Sequence, residues 1–294
     1  MEEIREKAWA KLNLSLDVLG RLPNGYHEMK TVMQSAGLCD EVTLARNSSG
    51  GISLRSSFGF LPCDARNIAY RAAELFFRAA GIRNPGLAIR LKKRIPVGAG
   101  LGGGSTDGAA VLRGLNRLYG FPFSYAQLEQ LGAELGSDVP FCVAGGTRLA
   151  TGRGEVLEVL PPLPDCGIVI CKPGFPIRTP ELFARIDGRR SRTRPDTAGL
   201  IAALAEGDLD GVARRMYNVF EDVLPARCGE VAVIRRRLLD AGALGAVMSG
   251  TGSAVLGLFR TAEEAARARA ALAETGAERF SAAPVPMLRA EAAQ

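Results

Sequence analysis

Near its start the chain carries an apolar residue at every second position over residues 7–18. Successive side chains of a β-strand point to opposite faces, so a period of two predicts a half-buried strand. The apolar face consists of Ala8, Ala10, Leu12, Leu14, Leu16 and Val18. Lys11, Asn13 and Ser15 therefore share the polar face. Turn-forming residues at 23–25 end this strand region.

Shorter strands are predicted farther along the first half of the chain. Residues 42–46 and 52–55 lie on either side of the turn-forming residues 47–51, and this arrangement predicts a hairpin. Residues 87–92 alternate between apolar and polar side chains, which predicts another strand.

Helical spacing is present in three segments of the same half. The first covers residues 67–80, and Gly81 follows where a helix-ending glycine is expected. The second is rich in Ala, Val and Leu and ends at Tyr119. Ser124 and Gln127 match a capping box, which predicts the start of the third helix.

The pattern restarts after the proline-rich residues 161–164, which predict a boundary between two domains. The elements that follow are predicted as strand, helices, strand, strand, helix and strand. Their strands are placed at residues 167–172, 244–248, 254–259 and 279–285, and the last helix at 263–275. This order is typical of a ferredoxin-like domain. We therefore expect an α+β protein with domains at 1–160 and 161–294.

Composition and charge exclude several classes of protein. The chain has 294 residues, of which 47% are hydrophobic and 23% charged, so it is neither disordered nor fibrous. A formal net charge of +6 suits an anionic ligand, but the chain lacks the Lys/Arg–aromatic stripe typical of nucleic-acid binders. It also lacks the apolar runs of a membrane span or a signal peptide. We therefore expect a cytoplasmic protein without nucleic-acid or membrane partners.

Cysteine and histidine usage argues against metal and protease chemistry. Six cysteines form no C-x-x-C pair, and His27 is the single histidine. A zinc site of the His/Cys type therefore has few ligands available, and no G-x-S-x-G motif accompanies His27. Buried free thiols in a reducing compartment are the expected state of the cysteines.

A glycine-rich run carries the clearest chemical signal. From Gly98 to Gly104 only Ala99 and Leu101 interrupt the glycines. Glycine permits positive φ and close backbone approach, so successive N–H groups can converge on one anion. A helix predicted to start at Ser105 or Thr106 adds its own unpaired amides. The run therefore predicts a phosphate-binding loop rather than a flexible connector.

Three well-known phosphate motifs fit this run poorly. The dinucleotide-binding pattern needs an acidic residue about 20 positions farther on, and residues 118–128 contain none. A P-loop needs lysine where Gly104 stands. The H-R-D and D-F-G motifs of protein kinases do not occur.

The run PVGAGLGGGSTD at residues 96–107 resembles the signature of the galactokinase, homoserine kinase, mevalonate kinase and phosphomevalonate kinase superfamily. Residues 10–14, 24–28, 136–141 and 248–253 resemble further segments of one branch, in the same order along the chain. That branch phosphorylates the 2-hydroxyl of 4-diphosphocytidyl-2-C-methyl-D-erythritol with ATP, in non-mevalonate isoprenoid synthesis. The resemblance implies an N-terminal ribosomal-protein-like ATP-binding domain and a ferredoxin-like C-terminal domain.

The resemblance also implies roles for particular residues. Asp138 corresponds to the general base, and Lys11 is placed beside it. The nucleotide is expected at Pro96, Val97, Gly98, Ala99, Gly100, Leu101, Gly102, Gly103, Gly104, Ser105 and Thr106. The acceptor is expected at Asn13, Tyr26, His27 and Phe183, with aromatic rings stacked on the cytosine. Mg²⁺ is expected to be held largely by phosphates and water, because no glutamate ligand can be placed.

Other interpretations remain open at this stage. Asp138 can instead cap a helix, Lys11 can lie on a solvated strand face, and Phe183 can belong to the core. Residues 248–253 can be a structural turn. A mevalonate or homoserine kinase, or a non-catalytic nucleotide- or RNA-binding protein, is an alternative function. We expect a monomer or weak homodimer; the arginine-rich residues 185–194 are interpreted as a solvated loop or a flank of an anionic ligand.

Overall fold

A computed structural model of the chain describes residues 3–48, 50–83, 86–188 and 193–288, without the side chains of residues 274 and 275. The strands are β1 (Glu3–Arg21), β2 (His27–Arg46), β3 (Ile52–Ser56), β4 (Leu87–Lys92), β5 (Thr147–Thr151), β6 (Val156–Val159), β7 (Gly167–Lys172), β8 (Tyr217–Asn218), β9 (Gly245–Met248), β10 (Val255–Phe259), β11 (Glu278–Ala282) and β12 (Pro284–Val285). The helices are α1 (Ile68–Ala79), α2 (Gly103–Leu118), α3 (Tyr125–Leu135), α4 (Val139–Ala144), α5 (Thr179–Asp187), α6 (Thr197–Glu206), α7 (Leu209–Arg214), α8 (Glu230–Asp240) and α9 (Ala262–Ala271).

The first sheet is built on a long antiparallel pair of β1 and β2, which is connected by the predicted turn at Gly25. Its strand order is β3-β4-β2-β1-β8, and β5 and β12 also pair with β2. The predicted hairpin between residues 42–46 and 52–55 is wrong, because β4 lies between β2 and β3. β3 and β4 run parallel, and α1 forms the crossover that a parallel pair requires.

Helices cover this sheet as the sequence predicts. Asn67 caps α1 by accepting a hydrogen bond from the Ala69 backbone N–H, and the capping box of Ser124 and Gln127 is present at α3. α2 begins at Gly103, two residues before the predicted start. A core of fully buried side chains joins these helices to the sheet, with Val42, Leu44, Phe76, Ile89, Leu112 and Phe141 at its centre.

The second sheet has the strand order β11-β7-β10-β9, with every pair antiparallel. This is the order of the predicted ferredoxin-like arrangement, which the structure confirms. Alternate residues of β7 enter two different cores. Ile168 and Ile170 pack with Leu12 and Leu14 of β1, whereas Val169 packs with side chains of α8 and α9. The sheet is therefore buried on both faces, and one face joins it to the first sheet.

Burial of β1 differs from the prediction of a half-buried strand. Its polar face is also closed to solvent, since Lys11, Asn13, Ser15 and Asp17 are each exposed by 5% or less. Lys11 and Asn13 meet the glycine-rich residues 102 and 249–250 there, and Asp17 accepts a hydrogen bond from Arg194. The alternation therefore predicted the strand but not the second layer that covers it.

After β11 the chain returns to the first sheet. The strand predicted at 279–285 is split, because β11 pairs with β7 whereas β12 pairs with β2.

The division into two domains between residues 160 and 161 stays a prediction. All six cysteines are free thiols, but Cys63 is exposed whereas the expectation was burial. In the parts of the chain that the structure describes, no helix is long and apolar enough to cross a membrane.

Candidate active site

A cavity of about 1080 Å³ lies where β1, α5 and the two glycine-rich loops meet. Lys11, Asp138, Tyr26, His27 and Phe183 all line it. Asn13 and every residue from Pro96 to Ser105 line it as well. The fold therefore brings residues from widely separated parts of the sequence to one site.

The glycine loop at residues 96–104 has the backbone that the sequence predicts. Gly98, Gly100 and Gly102 have positive φ angles of 66°, 75° and 71°. A Cβ atom on Gly100 would lie 2.1 Å from the Ser249 carbonyl oxygen, so no side chain fits there. α2 follows directly, with Gly102 as an N-cap that offers no side chain.

The first turn of α2 offers unpaired donors. The backbone N–H groups of Gly103, Gly104 and Ser105 have no hydrogen-bond partner among the described residues. The Thr106 N–H, in contrast, donates to the Gly102 carbonyl at 2.8 Å. The Thr106 hydroxyl donates to the Gly103 carbonyl at 2.9 Å, and its side chain is buried away from the cavity. The structure therefore does not bring Thr106 to the site, whereas it places Ser105 there.

Lys11 and Asp138 form the charged pair of the cavity. Lys11 Nζ lies 3.5 Å from Asp138 Oδ2 and donates to Asn13 Oδ1 at 2.7 Å. The Lys11 side chain is 6% exposed, so the alternative of a solvated lysine is wrong, whereas Asp138 is 39% exposed. Asp138 stands at the N-cap position of α4 but makes no side-chain capping bond. Asp138 therefore occupies the cap position, as the alternative interpretation expects, but its carboxylate is not used for a capping bond.

The second glycine loop, residues 249–252, packs directly on the first. The fully buried Ser249 hydroxyl donates to the Gly100 carbonyl at 2.9 Å and accepts from the Asn13 N–H at 3.3 Å. Asn218 Nδ2 donates to the Met248 and Gly250 carbonyls at 2.7 Å each. The second loop therefore holds the first one in position. The sequence analysis missed Asn218, which lies in a short segment without a motif.

An aromatic cluster forms the other end of the cavity. The His27 ring stacks on Phe183 with 4.5 Å between centroids, and Phe220 contacts the edge of Phe183 at 5.0 Å. The 4.5 Å separation is direct contact, so a base does not fit between His27 and Phe183. Phe183 is therefore shared between the cavity wall and the core. Tyr26 is 55% exposed and also lines the cavity.

Two charged residues near these rings were missed by the sequence analysis. His27 Nε2 lies 2.7 Å from Asp187 Oδ1, and the Arg153 guanidinium lies over the Tyr26 ring at 5.0 Å. Asp187 follows Phe183 by four residues on α5, which places both on one helix face. That spacing is the only signal in the sequence that points to Asp187.

A buried cluster of Lys93, Asp40 and Asp107 contacts the glycine loop at its junction with α2. Lys93 Nζ lies 2.5 Å from Oδ2 of both Asp40 and Asp107, and 3.3 Å from the Gly103 carbonyl. Burial raises the pKa of Asp107 to about 7; nearby Lys93 acts in the opposite direction and Asp40 raises it further. Asp107 Oδ1 is buried without a hydrogen-bond partner among the described residues. The sequence analysis missed this cluster, although Asp107 ends the glycine-rich signature.

The arginine-rich segment is only partly visible. Arg194 donates to Asp17 Oδ1 at 2.6 Å, and Arg185 lies 3.6 Å from Glu181. Arg189, Arg190 and Arg192 lie outside the described residues. In the described ranges, no group of three or more His, Cys, Asp and Glu side chains is arranged to hold a metal ion.

Comparison with known proteins gives a consistent result. The model of the GHMP kinases N terminal domain matches residues 67–146, and that of the GHMP kinases C terminal domain matches residues 200–278. The 4-diphosphocytidyl-2-C-methyl-D-erythritol kinase of Pelotomaculum thermopropionicum is 46% identical over 258 residues, which is 88% of this chain and 90% of that protein. The enzyme of the same name from Syntrophomonas wolfei is 42% identical over 263 residues, 90% of this chain and 92% of that protein.

Solved structures agree with these sequence relatives. A crystal structure of 4-(cytidine 5'-diphospho)-2C-methyl-D-erythritol kinase matches with a TM-score of 0.82 and 34% identity, covering 96% of this chain and 99% of that chain. Homoserine kinase from Cytophaga hutchinsonii shares the fold with a TM-score of 0.78 at 21% identity, over 98% of this chain and 96% of that one. The chain belongs to the 4-diphosphocytidyl-2-C-methyl-D-erythritol kinase family, whose members are small-molecule kinases with the two-domain GHMP kinase fold.

Proposed function

We propose that the protein transfers the γ-phosphate of ATP to the 2-hydroxyl of 4-diphosphocytidyl-2-C-methyl-D-erythritol, with Asp138 as general base. The observation that carries the proposal is the pair of Lys11 and Asp138, 3.5 Å apart in the same cavity as the glycine loop. Phosphoryl transfer depends mainly on positioning and on neutralising charge, and both are available at that point.

The glycine loop supplies the triphosphate site. Its positive-φ glycines allow successive backbone N–H groups to converge on one anion. The open amides of Gly103, Gly104 and Ser105 add the N-terminal end of α2. Drug-sized ligands usually occupy about 300–1,000 Å³. A cavity of about 1080 Å³ is therefore large enough for a nucleotide and an acceptor side by side.

In the transfer step, Asp138 removes the proton of the acceptor hydroxyl and Lys11 stabilises negative charge. The partly exposed Asp138 carboxylate is accessible to an acceptor hydroxyl and can take its proton as the oxygen attacks phosphorus. Lys11 Nζ lies 3.5 Å from that carboxylate and presents a positive charge to the transferring phosphoryl group. Asn13 orients Lys11 by accepting its hydrogen bond at 2.7 Å.

The residues fit a magnesium ion that is held mainly by phosphate oxygens and water. The described residues form no carboxylate cage, and the Ser105 hydroxyl is available on the cavity wall. Mg²⁺ bound in this way would neutralise phosphate charge during transfer. Tyr26 and His27 are proposed to hold the cytosine, Tyr26 by stacking and His27 by a hydrogen bond to the base.

The test compares the wild-type enzyme with Asp138→Asn in assays of ADP release with Mg-ATP. We expect wild-type turnover on the cytidylyl acceptor but not on mevalonate or homoserine. Asp138→Asn should lower kcat by about 10²- to 10⁴-fold while ATP binding is retained. Asp240→Asn is the matched control, because Asp240 is exposed and pairs with Arg236 on the same helix.

Three results would contradict the proposal. Full activity of Asp138→Asn would remove the general-base role. Turnover on mevalonate or homoserine alone would assign a different acceptor. A folded wild-type protein that binds ATP but phosphorylates none of the three would favour the non-catalytic interpretation. The cytoplasmic location and the monomer or weak homodimer stay predictions.

A further inference from the structure

We propose that Asp187 is a positioning residue that sets base specificity, because it makes His27 a hydrogen-bond acceptor and so selects cytosine over uracil. The inference rests on the proposed function, since the base matters only if a cytidylyl acceptor occupies this end of the cavity. It assigns a role to a residue that does not itself need to touch the substrate.

The contact between the two side chains fixes the position of the ring proton. His27 Nε2 lies 2.7 Å from Asp187 Oδ1. A carboxylate only accepts hydrogen bonds, so in the neutral imidazole the proton resides on Nε2 and a lone pair is left on Nδ1. Asp187 therefore selects one of the two tautomers of His27.

The remaining ring nitrogen is available to a ligand. His27 Nδ1 has no hydrogen-bond partner among the described residues, and it is not one of the fully buried polar atoms without a partner. The ring itself lines the cavity. Nδ1 is therefore an accessible acceptor on the cavity wall.

Packing prevents the ring from turning away from this arrangement. Phe183 covers one face of His27 at 4.5 Å, and Phe220 supports Phe183 edge-on at 5.0 Å. The His27 side chain is only 9% exposed. Phe183 and Asp187 lie four residues apart on α5, so one helix face supplies both the stacking contact and the hydrogen bond.

An acceptor at Nδ1 distinguishes the two pyrimidines by their donors. The base of a cytidine nucleotide carries its only N–H donor at position 4, whereas uracil carries a carbonyl oxygen there and its own donor at N3. An acceptor that faces position 4 therefore pairs with cytosine and not with uracil. A carbonyl facing the Nδ1 lone pair would leave two acceptors opposed and both unpaired. The geometry therefore favours cytosine for as long as Asp187 holds the tautomer.

The first test reads the tautomer directly, because the chain contains one histidine and its imidazole signals need no assignment. Nitrogen-15 NMR of the free protein, at a pH where the ring is neutral, should show the proton on Nε2 in the wild type and in Asp240→Asn. In Asp187→Asn the new amide can donate or accept, so the Nδ1–H form should appear. A neutral wild-type ring that carries its proton on Nδ1 would overturn the proposal.

The second test compares kcat/KM for the cytidylyl acceptor and for its uridylyl analogue. The ratio should fall about tenfold or more in Asp187→Asn, mainly through KM, because one hydrogen bond to the base is lost or mispaired. Asp187→Glu keeps an acceptor and should restore part of the ratio, and Asp240→Asn should not change it. An unchanged ratio in a folded Asp187→Asn protein would refute the inference. A wild type inactive on the cytidylyl acceptor would instead refute the proposed function, while the NMR result would still decide the tautomer.

Discussion

Lys93, Asp40 and Asp107 place one ammonium and two carboxylates in a site that is closed to solvent. All three side chains are at most 4% exposed, and the lysine lies between the two acids. One positive charge cannot balance two negative charges, so this cluster favours retention of a proton. Asp40 also accepts from the backbone N–H of Ile95 at 2.8 Å, which leaves Asp107 as the acid that binds the proton.

The stability of the protein should therefore depend on pH through Asp107. Its pKa in the folded state is about 7, compared with an ordinary value of 3.8. Between these values the folded state binds more protons than the unfolded state, so the free energy of unfolding falls as pH rises from about 4 to 7. Asp107→Asn should remove this fall, which is on the order of 2–4 kcal/mol.

Urea unfolding of the wild type and Asp107→Asn at several pH values measures this effect. The difference in unfolding free energy between the two proteins should change across pH 4–7 and stay constant above it. Asp240→Asn provides the control, because that carboxylate is exposed. A difference that does not vary with pH would contradict the raised pKa.

At the scale of elements, the loop at residues 96–104 has no room for a side chain at Gly100, because the loop at residues 249–252 packs against it. Gly100 combines a positive φ of 75° with a position where a Cβ would meet the Ser249 carbonyl at 2.1 Å. Gly81, after α1, has a φ of 65° but no heavy atom within 4 Å of its Cβ position. A substitution at Gly81 would therefore cause backbone strain alone, whereas one at Gly100 would cause backbone strain and a steric clash.

Alanine at Gly81 should therefore affect stability alone, whereas alanine at Gly100 should affect both stability and ATP binding. Gly81→Ala should lower the free energy of unfolding by about 1 kcal/mol and leave ATP binding unchanged. Gly100→Ala should in addition push the two glycine loops apart and raise the KM for ATP at least tenfold, because the open amides lose their alignment. Calorimetry and steady-state kinetics measure the two effects. Equal kinetics for both variants would show that the loop contact does not position the nucleotide.

At the scale of the whole molecule, residues 284–288 connect the second sheet back to the first sheet. Beyond β11, Val285 pairs with Ser35, and its carbonyl accepts from Gln34 Nε2 at 3.1 Å. The Leu288 N–H donates to the Ala144 carbonyl at 2.7 Å, at the end of the helix that follows Asp138. Residues 284–288 therefore support α4, the helix that begins directly after Asp138.

A shortened chain tests this support. A protein that ends after Ala283 should lose about 1–3 kcal/mol of unfolding free energy relative to one that ends after Leu288, because about three hydrogen bonds are removed. Its kcat should fall severalfold while the KM for ATP changes little, since the glycine loop is not touched. Urea unfolding and kinetics of the two chains give the comparison. Equal stability would exclude a structural role for this segment.

The sequence alone determined much of the local structure, including the backbone of the glycine loop. β4 and β7 have the predicted bounds, and the capping box at Ser124 forms as expected. These features depend on side-chain period and on contacts within one or two turns, which a short stretch of sequence contains. The glycine loop is of the same kind, because its φ angles follow from its composition.

Only the tertiary structure decided which strands pair, which polar groups are buried and which side chains assist one another. β4 separates β2 from β3, β1 is covered on its polar face, and β12 joins the first sheet. Asp187 reaches His27 across 160 residues of sequence, and Lys93 reaches Asp40 across 53. Such contacts have no local signature, because pairing and burial are set by segments that meet only after the chain has folded.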